Sequence, residues 1–363
     1  MTQYSRRRDR LRRRLKKLQL DGLLLSNFTN VSYLTGFSGD DSYLLLTARD
    51  AVIISDSRYG QQLDEECPDV NHDIRHSAQP IVAAATRVMK RLKLRSVGVE
   101  ADSLTMASHQ RLAAASDYSE LVATSGEVEL LREIKDASEI LTIRRAVRIA
   151  ERGFAATRAL LRQDQTEKEV AFELEHQLRL LGARACSFDP IVAVGPRAAL
   201  PHARPTEKLI GESDFVLLDW GADYQHYRSD LTRILVTGRI SPKLSRIYQI
   251  VLKAQKQAIK AIRPGAVMKK VDQAARKVIE DAGFGKRFGH SLGHGIGLDI
   301  HEGPRLASGQ DRPLKAGMVV TVEPGIYLPG WGGVRIEDDI LVTRDGHEVL
   351  SNVPRQLEQC LVE

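Results

Sequence analysis

Cysteine is scarce in this sequence: Cys67, Cys186 and Cys360 are the only three among 363 residues. Their odd number, wide spacing and lack of any CxxC pair argue against a disulfide framework or a thiolate zinc site, and fit a reducing cytoplasm. Long hydrophobic runs are missing too, so no segment is long enough to span a membrane. The basic start would suit a signal peptide only with an apolar stretch behind it, and Leu23-Leu24-Leu25 is too short and follows Asp21-Gly22. Charge of one sign is only mildly in excess. The net +6 sits largely in Arg6, Arg7, Arg8, Arg10, Arg12, Arg13, Arg14, Lys16 and Lys17. Leu11, Leu15 and Leu18 recur at helical spacing inside that run, which predicts a surface helix with one buried stripe and removes the need for a nucleic-acid partner.

What is present is an ordinary globular composition, 42% hydrophobic and 28% charged. The length exceeds a usual single core, so two domains are expected, 1–130 and 131–363. The first reads as α/β: strands at Leu23 to Ser26, Tyr43 to Thr47, Ala51 to Ser55 and Ser96 to Glu100, and a helix from Ile81 to Leu92. The second opens with a long helix from Asp136 to Leu161, striped by Ile140, Ile143, Ala146, Val147, Ala150 and Phe154. Thr166 and Glu169 have capping-box spacing for a helix stopping at Gly182, and Ser241-Pro242 starts another that ends before Pro264. Strands are expected at Phe215 to Asp219, Tyr227 to Val236, Val319 to Glu323 and Val334 to Val342. Two helices followed by strands thus occur twice, without a residue-level repeat.

The chemistry lies in five dispersed residues. Asp219 ends the apolar run Phe215-Val216-Leu217-Leu218, where a carboxylate is either a turn cap or a ligand. Asp230 falls inside an alternating strand, where a carboxylate turned to the core is costly unless paired or bound to a cation. Glu323 leads into the Pro324-Gly325 turn, and Glu337 shares a strand face with Arg335, read as orienting Asp219 or Glu337. His294 stands in the glycine-rich stretch Gly289 to Gly297, where an imidazole can approach a site closely. Four carboxylates and one imidazole suit two divalent cations, Mn²⁺, Co²⁺, Fe²⁺ or Zn²⁺. Two metals about 3.5–4 Å apart can bridge a water, lower its pKa and polarise a carbonyl, so a hydrolase is expected. His202 and His301 remain open candidates for binding an oxyanion or moving a proton.

The order Asp219, Asp230, His294, Glu323, Glu337, in the settings Ser229-Asp230-Leu231-Thr232-Arg233, His290-Ser291-Leu292-Gly293-His294-Gly295 and Val322-Glu323-Pro324-Gly325, resembles the pita-bread metallopeptidases. That family includes aminopeptidase P, prolidase, creatinase and methionine aminopeptidase. Asn30 to Phe37 and Asp56-Ser57-Arg58-Tyr59 resemble the creatinase and prolidase N-terminal domain. The resemblance implies an α/β N-terminal domain restricting the cleft of an α+β pita-bread domain with a pseudo-twofold repeat, and a homodimer. It implies that Asp219 chelates one metal, His294 and Glu323 the other, and that Asp230 and Glu337 bridge both. Glu323 would join in proton transfer, His202 and His301 would face the substrate, and His290 would line the proline pocket. The implied activity is two-metal hydrolysis of the Xaa-Pro bond in short proline-containing peptides, by an aminopeptidase or dipeptidase, most simply with Mn²⁺. A creatinase-like C–N hydrolase or a non-catalytic binding module are the rivals. Arg197, where many relatives carry asparagine, and His226, where glycine is common, depart from the pattern; His226 is expected to be a solvent-facing strand residue.

Overall fold

The computed structural model describes residues 2–362 and divides the chain into two compact units, one up to Leu131 and one from Arg132. In the first, the strand Gly22–Leu25 sits mid-sheet, antiparallel to Tyr43–Thr47 and parallel to Ser96–Glu100. Ala51–Asp56, Asn71–Arg75 and Glu120–Thr124 complete six strands. The basic run forms the helix Gln3–Leu18. It differs from a simple surface helix in two ways. Leu11 and Leu15 are buried, but Leu18, at the helix end, is 42% exposed. Arg7 and Arg8 are buried and donate to the carbonyls of Tyr33 and Leu34, closing the last turn of the helix Phe28–Thr35. Cationic side chains there meet the free carbonyls and the negative end of the helix dipole.

The second unit repeats one plan. A helix pair, Ala137–Ala159 with Glu167–Leu180, covers one face of a sheet, and Pro242–Ala261 with Met268–Asp281 forms the next pair. The capping boxes Asp136/Glu139 and Thr166/Glu169 both form, as does the Ser241 cap ahead of Pro242. The strand Phe215–Trp220 is buried throughout: Phe215 and Leu217 pack toward Leu244 and Tyr248, while Val216, Leu218 and Trp220 pack toward Ile149 and Leu174. A strand covered on both faces explains its unbroken apolar run. Trp220 stacks on Phe154 at 4.3 Å and donates from Nε1 to the Ala150 carbonyl.

Two strands expected to be continuous are broken, and each break carries a site residue. Tyr227 to Val236 splits into Tyr227–Arg228 and Leu231–Val236, which belong to different sheets. Val334 to Val342 splits into Gly332–Arg335 and Asp338–Val342. The pairings show why. Trp220 opposes Leu231 and then Asp223 opposes Arg228, so this hairpin bends at Gly221 on one side and at Ser229-Asp230 on the other. Val322 opposes Asp338 and then Gly325 opposes Arg335, so the second hairpin bends at Glu323-Pro324 and Ile336-Glu337. Side-chain alternation lapses at such corners, and a carboxylate can leave the strand plane. His226 is likewise no strand residue. With Gln225 it forms a two-residue turn with φ of 50° and 67°, half-buried, its amide donating to Asp223.

The bend at Gly221 needs glycine because a Cβ there would lie 1.8 Å from the Ser229 carbonyl oxygen. Gly221→Ala is therefore expected to cost about 1–3 kcal/mol of stability and to displace Asp230. Denaturant unfolding together with metal content by elemental analysis would check both; an unchanged metal load would refute the link between bend and ligand.

Candidate active site

The corners of the two bent hairpins, the strand Phe215–Trp220 and the short strand Gly293–Gly295 bring five residues together. Asp230, His294 and Glu337 each offer one ligand atom, all within 4.8 Å of one another. Glu323 Oε1 lies 3.3 Å from His294 Nε2, and Asp230 Oδ2 lies 3.6 Å from the same nitrogen. Asp219 borders the same cleft, its Oδ2 paired with the Arg335 guanidinium. All but Glu323, which is partly exposed, are buried.

The hydrogen bonds behind these atoms settle what they offer. His294 Nδ1 lies 3.1 Å from the Gly295 carbonyl oxygen, which can only accept, so the proton sits on Nδ1 and Nε2 presents a lone pair. That lone pair faces two carboxylate oxygens. Burial, with help from His301, lowers the His294 pKa to about 4, so the ring does not relieve the clash by protonating at neutral pH. Asp219 Oδ1 and Asp230 Oδ1 are buried without a hydrogen-bond partner among the described residues. Burial, then Glu337, Asp219 and Glu323, push the Asp230 pKa well up. Burial, then Glu323 and Asp219, do the same to Glu337. Glu323 is raised to about 8, chiefly by burial. Orphaned carboxylate oxygens around an imidazole lone pair are the donor set of a divalent cation, and these residues fit one.

The supporting groups were less visible in the sequence. The Thr232 hydroxyl donates to Glu337 Oε2 at 2.6 Å and accepts from Arg335 Nε at 3.1 Å, so Arg335 reaches Asp219 directly and Glu337 through Thr232. Thr321 Oγ1 accepts from the His294 amide and donates to Glu323 Oε1. The Asp339 carboxylate accepts the Asp230 amide at 3.0 Å, fixing the corner that the broken strand leaves unpaired. Thr321, the one polar residue of the strand Val319–Val322, and Thr232, beside Arg233 in Leu231–Val236, were the available signal. Tyr327 had none. Its hydroxyl accepts from Arg335 Nη1 and donates to His290 Nε2, because His290 Nδ1 already donates to the Ser291 carbonyl.

The cleft measures about 480 Å³. His202, His290 and His301 line it with the metal-ligand candidates, as do Arg204 and Arg305. His202 and His301 are exposed, whereas His290 is half-buried against Phe288. His226 does not line it, and Arg197 stands behind the loop that does. A larger hollow of about 840 Å³ beside Phe154, Arg158 and Val362 brings together no metal-ligand cluster among the described residues.

Comparison with known proteins identifies the family. Residues 142–344 match the model of metallopeptidase family M24, and residues 7–134 that of the creatinase/prolidase N-terminal domain. The chain belongs to metallopeptidase family M24. The resemblance read from the motifs is thereby borne out, as is the pairing of a creatinase-type N-terminal domain with a pita-bread domain. This M24 chain is 42% identical to a solved Xaa-Pro dipeptidase from Bacillus anthracis, with a TM-score of 0.94 over 98% of this chain and 99% of that one. It is 36% identical to a solved X-Pro aminopeptidase from Thermotoga maritima, with a TM-score of 0.87 over 94% and 99%. A Xaa-Pro dipeptidase of Pyrococcus horikoshii is 36% identical over 344 residues, 94% of this chain and 96% of the relative.

The raised carboxyl pKa values have a measurable consequence for metal-stripped protein. A folded-state pKa above the unfolded value means the native state binds more protons, so stability falls as pH rises through the interval between them. For Glu323 that interval runs from 4.5 to about 8. Asp230→Asn removes one repelling charge, so the stripped variant should exceed the stripped parent in stability by roughly 1 kcal/mol at pH 8 and by less near pH 5, while binding metal far more weakly. Thermal unfolding across pH with and without added Mn²⁺ checks this; a variant less stable than its parent at pH 8 would contradict the repulsion.

Proposed function

We propose that this chain is a Xaa-Pro-specific metallopeptidase that hydrolyses the bond before proline in short peptides, holding two divalent cations with Asp219, Asp230, His294, Glu323 and Glu337. The observation that carries this is the convergence of Asp230, His294 and Glu337 within 4.8 Å in a chain of family M24. The relatives' proline-directed names support the substrate class. Oxygen donors with a single imidazole favour Mn²⁺ or Co²⁺ and also admit Zn²⁺ or Fe²⁺. When bound, such a pair supplies an acidified water and polarises the scissile carbonyl.

The chain's own groups divide the remaining work. Glu323 Oε1 accepts from Thr321, which leaves Oε2 as the atom that takes the water's proton and returns it to the proline nitrogen as the bond breaks. His301 is neutral at pH 7 because burial and the Arg305 charge lower its pKa, so one ring N–H is available to the developing oxyanion. His202, exposed on the same cleft, is the second such donor. His290 has both nitrogens engaged, by Tyr327 and by the Ser291 carbonyl, and its pKa is lowered to about 4 chiefly by burial. It therefore carries no proton in the reaction and serves as a wall for the proline ring. The three free cysteines support a cytoplasmic setting, and a homodimer belongs to the same reading.

Protein loaded with Mn²⁺ or Co²⁺ is expected to cleave Xaa-Pro dipeptides, Xaa-Pro tripeptides or both, and to leave creatine intact. No cleavage of any Xaa-Pro substrate would overturn the proposal, and the dipeptide-to-tripeptide rate ratio would assign the peptidase type. His301→Ala should lower kcat by about 10²–10³-fold with little change in KM, whereas His290→Ala should act mainly on KM. The opposite pattern would exchange the two roles.

A further inference from the structure

The structure gives Arg197 a task that the sequence does not reveal. Glu167, in the first turn of the helix Glu167–Leu180, is fully buried yet charged, and four donors converge on it. The Val194 amide donates to Oε1 at 2.8 Å. The Thr206 amide and hydroxyl donate to Oε2 at 2.8 and 2.7 Å. Arg197 Nε spans both oxygens at 3.0 and 2.9 Å. Residues 194 and 206 are thus pinned to one carboxylate. Arg197 then closes the loop from inside, because its Nη2 donates to the Arg204 carbonyl.

The residues between these anchors include Pro201, His202, Ala203 and Arg204, all lining the cleft. His202 is exposed, and its ring makes no hydrogen bond among the described residues. Its placement is therefore inherited from the loop backbone. Only a planar guanidinium can serve a buried carboxylate through one nitrogen and a carbonyl across the loop through another, whereas an ammonium offers a single point charge.

We propose that the Glu167–Arg197 pair positions His202, so that Arg197 acts on turnover through His202 and not through the fold at large. This rests on the reading of His202 as substrate-facing. Glu167 accepts charge-assisted hydrogen bonds from both ends of the loop, and Arg197 sets the loop's height over the cleft.

The test is a double-mutant cycle on the metal-loaded enzyme with a Xaa-Pro substrate. Arg197→Lys keeps a positive charge beside Glu167, so the buried carboxylate stays paired, and it loses the second arm to Arg204. The variant should lose roughly ten- to a hundred-fold in kcat/KM, with metal content and Tm near those of the parent. In a His202→Ala background the same substitution should change kcat/KM by less than about two-fold. Ring-proton NMR of the histidines gives a second readout, independent of rate: the His202 signal should move in Arg197→Lys while the His290 and His301 signals stay in place. An equal loss in both backgrounds, or an unmoved His202 signal, overturns the positioning role while leaving the peptidase reading intact. Full activity of His202→Ala would overturn both the positioning role and the assignment of His202.

Discussion

Everything in the catalytic unit answers to one electrostatic constraint: like charges are held together where water is scarce. Asp219, Asp230 and Glu337 are buried and Glu323 is nearly so, and the guanidinium among them, Arg335, is already committed to Asp219, Thr232 and Tyr327. The single imidazole turns a lone pair, not a proton, toward two of the carboxylates. Such a cluster costs folding free energy unless cations neutralise it. The M24 site is therefore maintained by the rest of the fold and completed by metal.

The device that maintains it is the bent hairpin, used twice. A straight strand would send alternate side chains to opposite faces and could not gather four carboxylates at one point. Each hairpin instead bends where two corners face each other, the first pair of corners releasing Asp230 and the second Glu323 and Glu337, while Asp219 stays in the strand Phe215–Trp220. The loss of ladder bonds at the corners is offset locally: Asp339 accepts the Asp230 amide, and the Thr232 carbonyl accepts the Glu337 amide. Buried glycine at position 221 allows the two backbones to cross closely.

The histidines around the cleft look alike in sequence and differ in their hydrogen bonds. His290 is locked between Tyr327 and a carbonyl, and His294 has one nitrogen locked and one free. His202 and His301 stand exposed on loops. Chemistry is divided by which ring nitrogens remain available, and a residue's identity does not reveal that. The same holds for Arg197, whose neighbours in the chain say nothing of the buried Glu167 thirty positions earlier.

The family, the helices and the residues that converge on the cleft were legible in the sequence because each rests on local signals. Asp136/Glu139 and Thr166/Glu169 mark helix starts within four residues, and the metal-site motifs are short. The breaks at Asp230 and Glu337 are invisible in the sequence because its apolar–polar pattern runs on where the strand geometry stops, and only cross-strand pairing reveals where the partner turns. Leu18 was placed in the buried stripe because periodicity does not know where a helix ends. The chain by itself determined which atoms could bind metal and what reaction class they serve. Tertiary structure alone decided their geometry and their protonation, because the contacts that do so, such as Arg335 with Asp219, Thr232 with Glu337 and Tyr327 with His290, join residues far apart in sequence.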